Sequence, residues 1–129
     1  MRMDAHILFA DDNPDIRELA QLLLQAAGYR VTTAETTHEV LQLVAIERFD
    51  VLVLDYWMPA ITGIELCRHI RTFDPITPIL ICSGAVTQAD KEAAAQAGAE
   101  GYLVKPFNSK DLVRALRSLD SSRAQNRAR

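Results

Sequence analysis

Three short apolar runs in this chain are each followed directly by charged residues, and this pattern limits the number of folds that the chain can adopt. The runs are Val51–Leu54 before Asp55, Ile7–Ala10 before Asp11 and Asp12, and Gly101–Val104 before Lys105. A continuous apolar run is typical of a strand that is covered on both faces of a parallel sheet. In open α/β sheets, ligands bind at the carboxyl ends of the strands. We therefore expect the three charged ends to meet in one polar site.

Length and composition are those of one globular domain. The 129 residues are 49% hydrophobic and 24% charged, with a formal net charge of −3, which does not favour nucleic-acid binding. No apolar run approaches the roughly 18–20 residues of a membrane span, and the N-terminus lacks a secretory signal. Cys67 and Cys82 do not form a CxxC pair, so we expect free core thiols and a cytoplasmic protein.

Five apolar runs alternate with five helical patterns. Strands are predicted at Ile7–Ala10, Tyr29–Ala34, Val51–Leu54, Ile79–Cys82 and within Gly101–Val104. The predicted helix caps are Asn13 before Pro14, Thr36 with Glu39, Thr62 with Glu65, Thr87, and Asn108 or Ser109, with Gly28 ending the first helix. The predicted apolar face of the first helix comprises Ile16, Leu19, Leu22, Leu23 and Ala26, whereas the alanine-rich fourth helix is expected to be loosely held.

This alternation predicts the fold class. Right-handed crossovers between successive strands give an α/β, doubly wound (βα)5 fold, with a five-stranded parallel sheet and helices on both faces. We expect one domain over residues 1–120. Residues 121–129 are predicted to be a polar tail that frays, or the start of a linker.

The charged strand ends require a cation. Carboxylates about 4 Å apart repel by ~1 kcal/mol in water and ~4 kcal/mol near a protein surface. Lys105 supplies one positive charge to balance Asp11, Asp12 and Asp55, and Mg²⁺ suits the remaining oxygen ligands. Zinc is disfavoured because the histidines and cysteines lie at no ligand spacing.

An acidic site with Mg²⁺, a lysine and a hydroxyl is suited to a phosphoryl group. A carboxylate can itself accept that group as an aspartyl phosphate. Asp55 stands alone at the end of the central predicted strand, which favours it as the acceptor. Asp11 and Asp12 are paired and are better placed as metal ligands.

Over about residues 5–120 the sequence resembles the receiver domain of two-component response regulators, which has a flavodoxin-like fold. The resemblance is carried by Asp11-Asp12 after the first strand, Asp55 with Met58-Pro59, Ser83-Gly84 after the fourth strand, Tyr102, and Lys105-Pro106-Phe107. Each signal is weak alone. The whole set, in this order and at these separations, is highly specific.

The resemblance implies a role for each residue of this set. Asp55 is the expected phosphoacceptor. Asp12 is expected to bind the metal ion directly, and Asp11 often binds it through water. The other expected ligands are Asp55 itself and the backbone carbonyl of Trp57. Ser83 is the switch hydroxyl that bonds phosphoryl oxygens, Lys105 is their counter-ion, and Tyr102 turns inward when Ser83 moves. The Lys105–Pro106 peptide is expected to be cis.

The resemblance also implies partners. A sensor histidine kinase or histidine phosphotransfer protein donates the phosphoryl group. The face of the fourth helix, fifth strand and fifth helix then binds an effector protein or a second copy. Such a domain is a switch that catalyses only its own phosphoryl transfer and dephosphorylation, without contacting nucleic acid or membrane. The large indole of Trp57 departs from the commoner pattern of the family. Two interpretations of it stay open: the indole shields the phosphoryl group from water, or it only packs on the protein surface.

Three other functions fit parts of the sequence. A small aspartate-nucleophile phosphohydrolase commonly has a second acid two residues after its nucleophile, and this position is Trp57. A flavodoxin-like cofactor binder needs an uncharged phosphate loop after the first strand, where this chain has Asp11-Asp12-Asn13-Pro14. A receiver-like docking domain would no longer take a phosphoryl group, and the intact site residues argue against it. Whether the chain acts alone or within a longer regulator or hybrid kinase is open.

Overall fold

A computed structural model describes residues 4–84 and 87–128 of the chain, with side chains as far as Leu119. Strands and helices alternate through the described residues. The strands are β1 (His6–Ala10), β2 (Arg30–Ala34), β3 (Val51–Asp55), β4 (Ile79–Ser83) and β5 (Gly101–Val104). The helices are α1 (Pro14–Ala26), α2 (Thr37–Ile46), α3 (Gly63–Arg71), α4 (Gln88–Gln96) and α5 (Ser109–Ala128). The predicted (βα)5 order is confirmed.

All five strands pair in parallel, in the order β2-β1-β3-β4-β5. The chain moves outward from β1 to β2 and then returns to the other side of β1 with β3. The order therefore reverses between β1 and β3, and crevices at such points bind ligands in doubly wound folds. The residues that leave the sheet there are Asp11 and Asp55.

The strands are covered on both faces, which explains their nearly continuous apolar sequences. Successive side chains of a strand point to opposite faces, so β3 divides its residues between two clusters. Leu52 and Leu54 pack with α2, α3 and α4, whereas Val51 and Val53 pack with α1 and α5. Every residue of β3 is buried, including Asp55 at its end.

Side-chain caps begin the helices where the sequence predicts them. The cap residues are Asn13, Thr36, Thr62 and Thr87, each of which accepts a backbone N–H of the first turn, and Asn108, which accepts from Asp111 at 2.9 Å. Gly28 follows the end of α1 with a φ of +98°, a conformation that glycine adopts readily. The caps set where the chain enters each helix after the carboxyl edge of the sheet, and Gly28 ends α1 before β2 begins.

The buried face of α1 differs from the prediction. Leu19 and Leu22 are 54% and 60% exposed, whereas Ala20 and Leu24 are buried. Ile16, Ala20 and Leu24 follow the i, i+4 spacing of one helical face. They pack into the core cluster that also contains Val51 and Val53 of β3. An alanine at the centre of this row lets the helix approach the sheet closely, so the leucines beside it remain outside.

The helices α4 and α5 can also be compared with the predictions made from the sequence. In α4 the only buried residue is Ala94, which is consistent with the loosely held, alanine-rich helix expected from the sequence. In α5 the backbone is helical as far as Ala128, so the helix includes residues that the sequence analysis placed in a polar tail. Within residues 4–84 and 87–128, none of the helices is long and apolar enough to cross a membrane.

Both cysteines are buried and free, as predicted. Burial raises the pKa of the Cys67 thiol to about 11 and raises the pKa of the Cys82 thiol even more. Thiolates are the reactive species, so we expect a disulfide reagent at pH near 8 to label the native protein at least about 100-fold more slowly than the unfolded chain. Release of the coloured leaving thiolate measures both rates. Equal rates in buffer and in guanidinium chloride would contradict this expectation.

Candidate functional site

Four residues from distant parts of the chain meet at the carboxyl edge of the sheet. Asp11 follows β1, Asp55 and Ser83 end β3 and β4, and Lys105 follows β5. The Lys105 Nζ donates hydrogen bonds to Asp11 Oδ2 at 2.6 Å and to Asp55 Oδ1 at 2.9 Å. The Lys105 backbone N–H also donates to the carbonyl oxygen of Ser83 at 2.8 Å. The parallel register thus brings these predicted residues into one crevice.

Asp12 completes an acidic cluster with Asp11 and Asp55. Each residue offers one carboxylate oxygen, and the three oxygens lie within 4.8 Å of one another. Asp11 and Asp55 are 1% and 6% exposed, whereas Asp12 faces solvent. A few carboxylates at the mouth of a crevice, with room for water on the open side, form the kind of donor set that Mg²⁺ prefers. The residues present therefore fit this ion.

The charges of the cluster are only partly balanced by Lys105. Burial raises the pKa of Asp55, the hydrogen bond from Lys105 lowers it, and the negative charge of Asp11 raises it, with a net upward shift. Burial alone would lower the pKa of Lys105, but its hydrogen bonds to Asp11 and Asp55 outweigh that effect and raise it. Lys105 therefore keeps its charge, and a further cation favours the ionised form of Asp55.

Two residues hold Asp11 that sequence reasoning did not identify as part of the site. The backbone N–H of Asn13 donates to Asp11 Oδ1 at 3.0 Å, and Arg17 Nη1 donates to the Asp11 carbonyl oxygen at 2.8 Å. Asn13 was predicted only as a helix cap. Arg17 lies one turn into α1, and an arginine on the first turns of a helix gives no sequence signal that it reaches back to the preceding loop.

The residues predicted as the switch are in contact. Ser83 is 1% exposed, and its side chain is hydrogen-bonded with the Tyr102 side chain on β5. Burial raises the pKa of Tyr102, and this hydrogen bond opposes the shift without cancelling it. A hydroxyl at the crevice is thus connected directly to an aromatic ring on the edge strand.

Trp57 lies in the loop between β3 and α3, and the residue is 65% exposed. The ring packs edge-on against Tyr56, with centroids 4.7 Å apart and an interplanar angle of 69°. This arrangement favours surface packing, one of the two interpretations left open by the sequence. The expected cis peptide between Lys105 and Pro106 is present.

Known proteins resemble this chain in sequence and in fold. A sequence model of the response regulator receiver domain matches residues 7–117. Response regulator MprA of Mycolicibacterium vanbaalenii is 37% identical over 117 residues, covering 91% of this chain and 51% of MprA. The chemotaxis response regulator CheY4 of Vibrio cholerae aligns with a TM-score of 0.86 at 36% identity, covering 91% of this chain and 99% of that structure.

A second solved structure, the BeF3-activated receiver domain of DrrB, aligns with a TM-score of 0.82 at 30% identity, covering 92% of this chain and 99% of that domain. The chain spans about half the length of the curated relatives that it matches.

Proposed function

The chain belongs to the response regulator receiver domain family, and on that premise we propose that Asp55 accepts a phosphoryl group from a phosphohistidine. The donor is a sensor histidine kinase or a histidine phosphotransfer protein. The observation that carries this proposal is the meeting of Asp55 with Lys105, Asp11 and Asp12 in one crevice. Such a domain is a signalling switch and not an enzyme that turns over a separate substrate.

Asp55 is the nucleophile in the proposed transfer. One of its carboxylate oxygens bonds to phosphorus while the P–N bond breaks, and the electron pair of that bond returns to the imidazole nitrogen. A donor ring that is protonated on its other nitrogen then leaves as neutral imidazole. Lys105, within 2.9 Å of Asp55, is placed to neutralise the phosphoryl oxygens that arrive there.

Asp11, Asp12, Asp55 and the backbone carbonyl of Trp57 are the residues that we assign to Mg²⁺. When bound, this ion would neutralise negative charge on the transferred group. The support for this assignment is the proximity of the three carboxylate oxygens together with the burial of Asp11. We assign dephosphorylation to the same crevice, because loss of the phosphoryl group from Asp55 removes the negative charge that phosphorylation added there.

The output surface that we propose comprises α4, β5 and α5. Phosphorylation adds negative charge at Asp55, which draws the Ser83 hydroxyl toward the phosphoryl oxygens and lets Tyr102 follow. Tyr102 lies on β5, where Val104 is 45% exposed, and α4 beside it buries only Ala94. We infer that this face binds an effector protein or a second copy of the chain. We assign the receiver domain to residues 1–120 and a polar tail or linker start to residues 121–129.

Intact mass after treatment with acetyl phosphate tests the proposed acceptor. We expect the wild-type chain to gain one phosphoryl group only when Mg²⁺ is present, and Asp55→Asn to gain none. The amide is nearly isosteric, so it removes the nucleophile with little change in shape. Acid-labile label on another residue of Asp55→Asn would refute the assignment, whereas steady turnover of a phosphate ester would favour the phosphohydrolase alternative.

A further inference from the structure

Tyr56, the residue that follows Asp55, is held through both its backbone N–H and its backbone carbonyl. The Tyr56 backbone N–H donates to the Cys82 carbonyl oxygen on β4 at 2.8 Å. The Gly63 N–H, at the first position of α3, donates to the Tyr56 carbonyl oxygen at 2.8 Å. The second bond closes the loop of residues 56–62, which includes Trp57. The loop is therefore anchored at both ends beside the acceptor.

Gly63 lies in direct contact with the backbone of the acceptor. A Cβ atom added to Gly63 would lie 2.5 Å from the Asp55 carbonyl oxygen, and 3.1 Å from both the Asp55 carbonyl carbon and the Tyr56 Cα. These are backbone atoms, so they cannot rotate away as the end of a flexible side chain can. Any side chain at residue 63 must displace either the start of α3 or the peptide of Asp55.

We propose that Gly63 is a positioning residue for phosphoryl transfer. Because it has no side chain, α3 can begin directly against the peptide of Asp55, which fixes that carboxylate at its 2.9 Å contact with Lys105. The same contact sets the position of the loop that carries the Trp57 carbonyl. This inference rests on the proposed role of Asp55 as acceptor.

The chain offers a matched control at Gly101, the first residue of β5. A Cβ added there would lie 2.9 Å from Leu80 Cδ1, which is the end of a flexible side chain. Gly101 lies at the amino end of its strand, whereas Lys105 follows the carboxyl end. Gly101→Ala is thus the same chemical change at a crowded position remote from the crevice.

The experiment compares Gly63→Ala, Gly101→Ala and wild type for the rate of phosphorylation by acetyl phosphate, the Kd of Mg²⁺ and the stability in urea. We expect Gly63→Ala to lower the phosphorylation rate and to weaken Mg²⁺ binding, each by about 10- to 100-fold, as loss of a supporting residue does at metal sites. Gly101→Ala is expected to keep both within about twofold, even where its stability falls.

Two results would overturn the inference: wild-type rate and Mg²⁺ affinity in Gly63→Ala, or equal losses in both variants at equal destabilisation. If Gly63→Ala is unfolded in buffer, the same assays are run on all three proteins in trimethylamine N-oxide, which favours the compact state. Failure of the proposed function itself is distinguishable, because wild type would then take no phosphoryl group or Asp55→Asn would still take one.

Discussion

Replacing Lys105 with methionine is expected to destabilise the protein by about 3 kcal/mol without Mg²⁺, near the lower end of the range for removing one partner of a buried ion pair. The side chains of Asp11 and Asp55 are only 2% and 8% exposed, and both lose their nearest cation. The loss stays at the lower end because Asp55, whose pKa is already raised by burial, can take up a proton. Urea unfolding followed by circular dichroism measures this change.

The pH dependence of that loss has a definite sign. A carboxyl group whose pKa is raised on folding contributes stability at pH below its unfolded pKa, and this stability is lost as pH rises through the folded pKa. Removal of Lys105 raises the pKa of Asp55 further, so the variant suffers most at neutral pH. We therefore expect the difference between wild type and Lys105→Met to shrink on acidification.

Lys110→Met is the matched control, since Lys110 is an exposed lysine on α5, whereas Lys105 is hydrogen-bonded to two acids of the cluster. It removes the same charge and should change stability by no more than about 0.5 kcal/mol. Equal losses in the two variants, or a loss in Lys105→Met that does not vary with pH, would show that Lys105 does not compensate buried carboxylates.

Local sequence signals sufficed for the parts of the fold that depend on neighbouring residues. Polar ends of apolar strands become one site once the strands are known to be parallel, because their carboxyl ends then share an edge. This is why Asp55 and Lys105 could be placed together from sequence although 50 residues separate them. Side-chain caps such as Thr62 similarly act on the N–H groups of the next turn.

Properties that depend on packing could not be predicted in this way. The leucines of α1 form a wide stripe, and only contact with the sheet selects the row through Ala20 and Leu24 over the one through Leu19 and Leu22. The close approach of Gly63 to the Asp55 peptide is likewise set by how α3 packs on the end of β3. A glycine after a threonine cap carries no sequence signal of that contact.

Substituting Asp12 with asparagine is expected to change stability in opposite directions with and without Mg²⁺. Without metal, the variant relieves repulsion among three carboxylates, and because Asp12 is exposed we expect a gain of about 1 kcal/mol, the value for charges in water. With metal, wild type should gain about 2.7 kcal/mol at 100 times its Kd, whereas the variant should gain almost nothing.

The order of stability should therefore reverse when Mg²⁺ is added, which a general salt effect cannot produce. Glu92→Ala is the control, because Glu92 is an exposed acid on α4 outside the acidic cluster, and its Mg²⁺ response should equal that of wild type. Urea unfolding with and without MgCl₂, at constant ionic strength set with NaCl, separates the two effects. If Mg²⁺ stabilised Asp12→Asn as much as wild type, the ion would have to be held without Asp12, and the ligand set proposed here would be wrong.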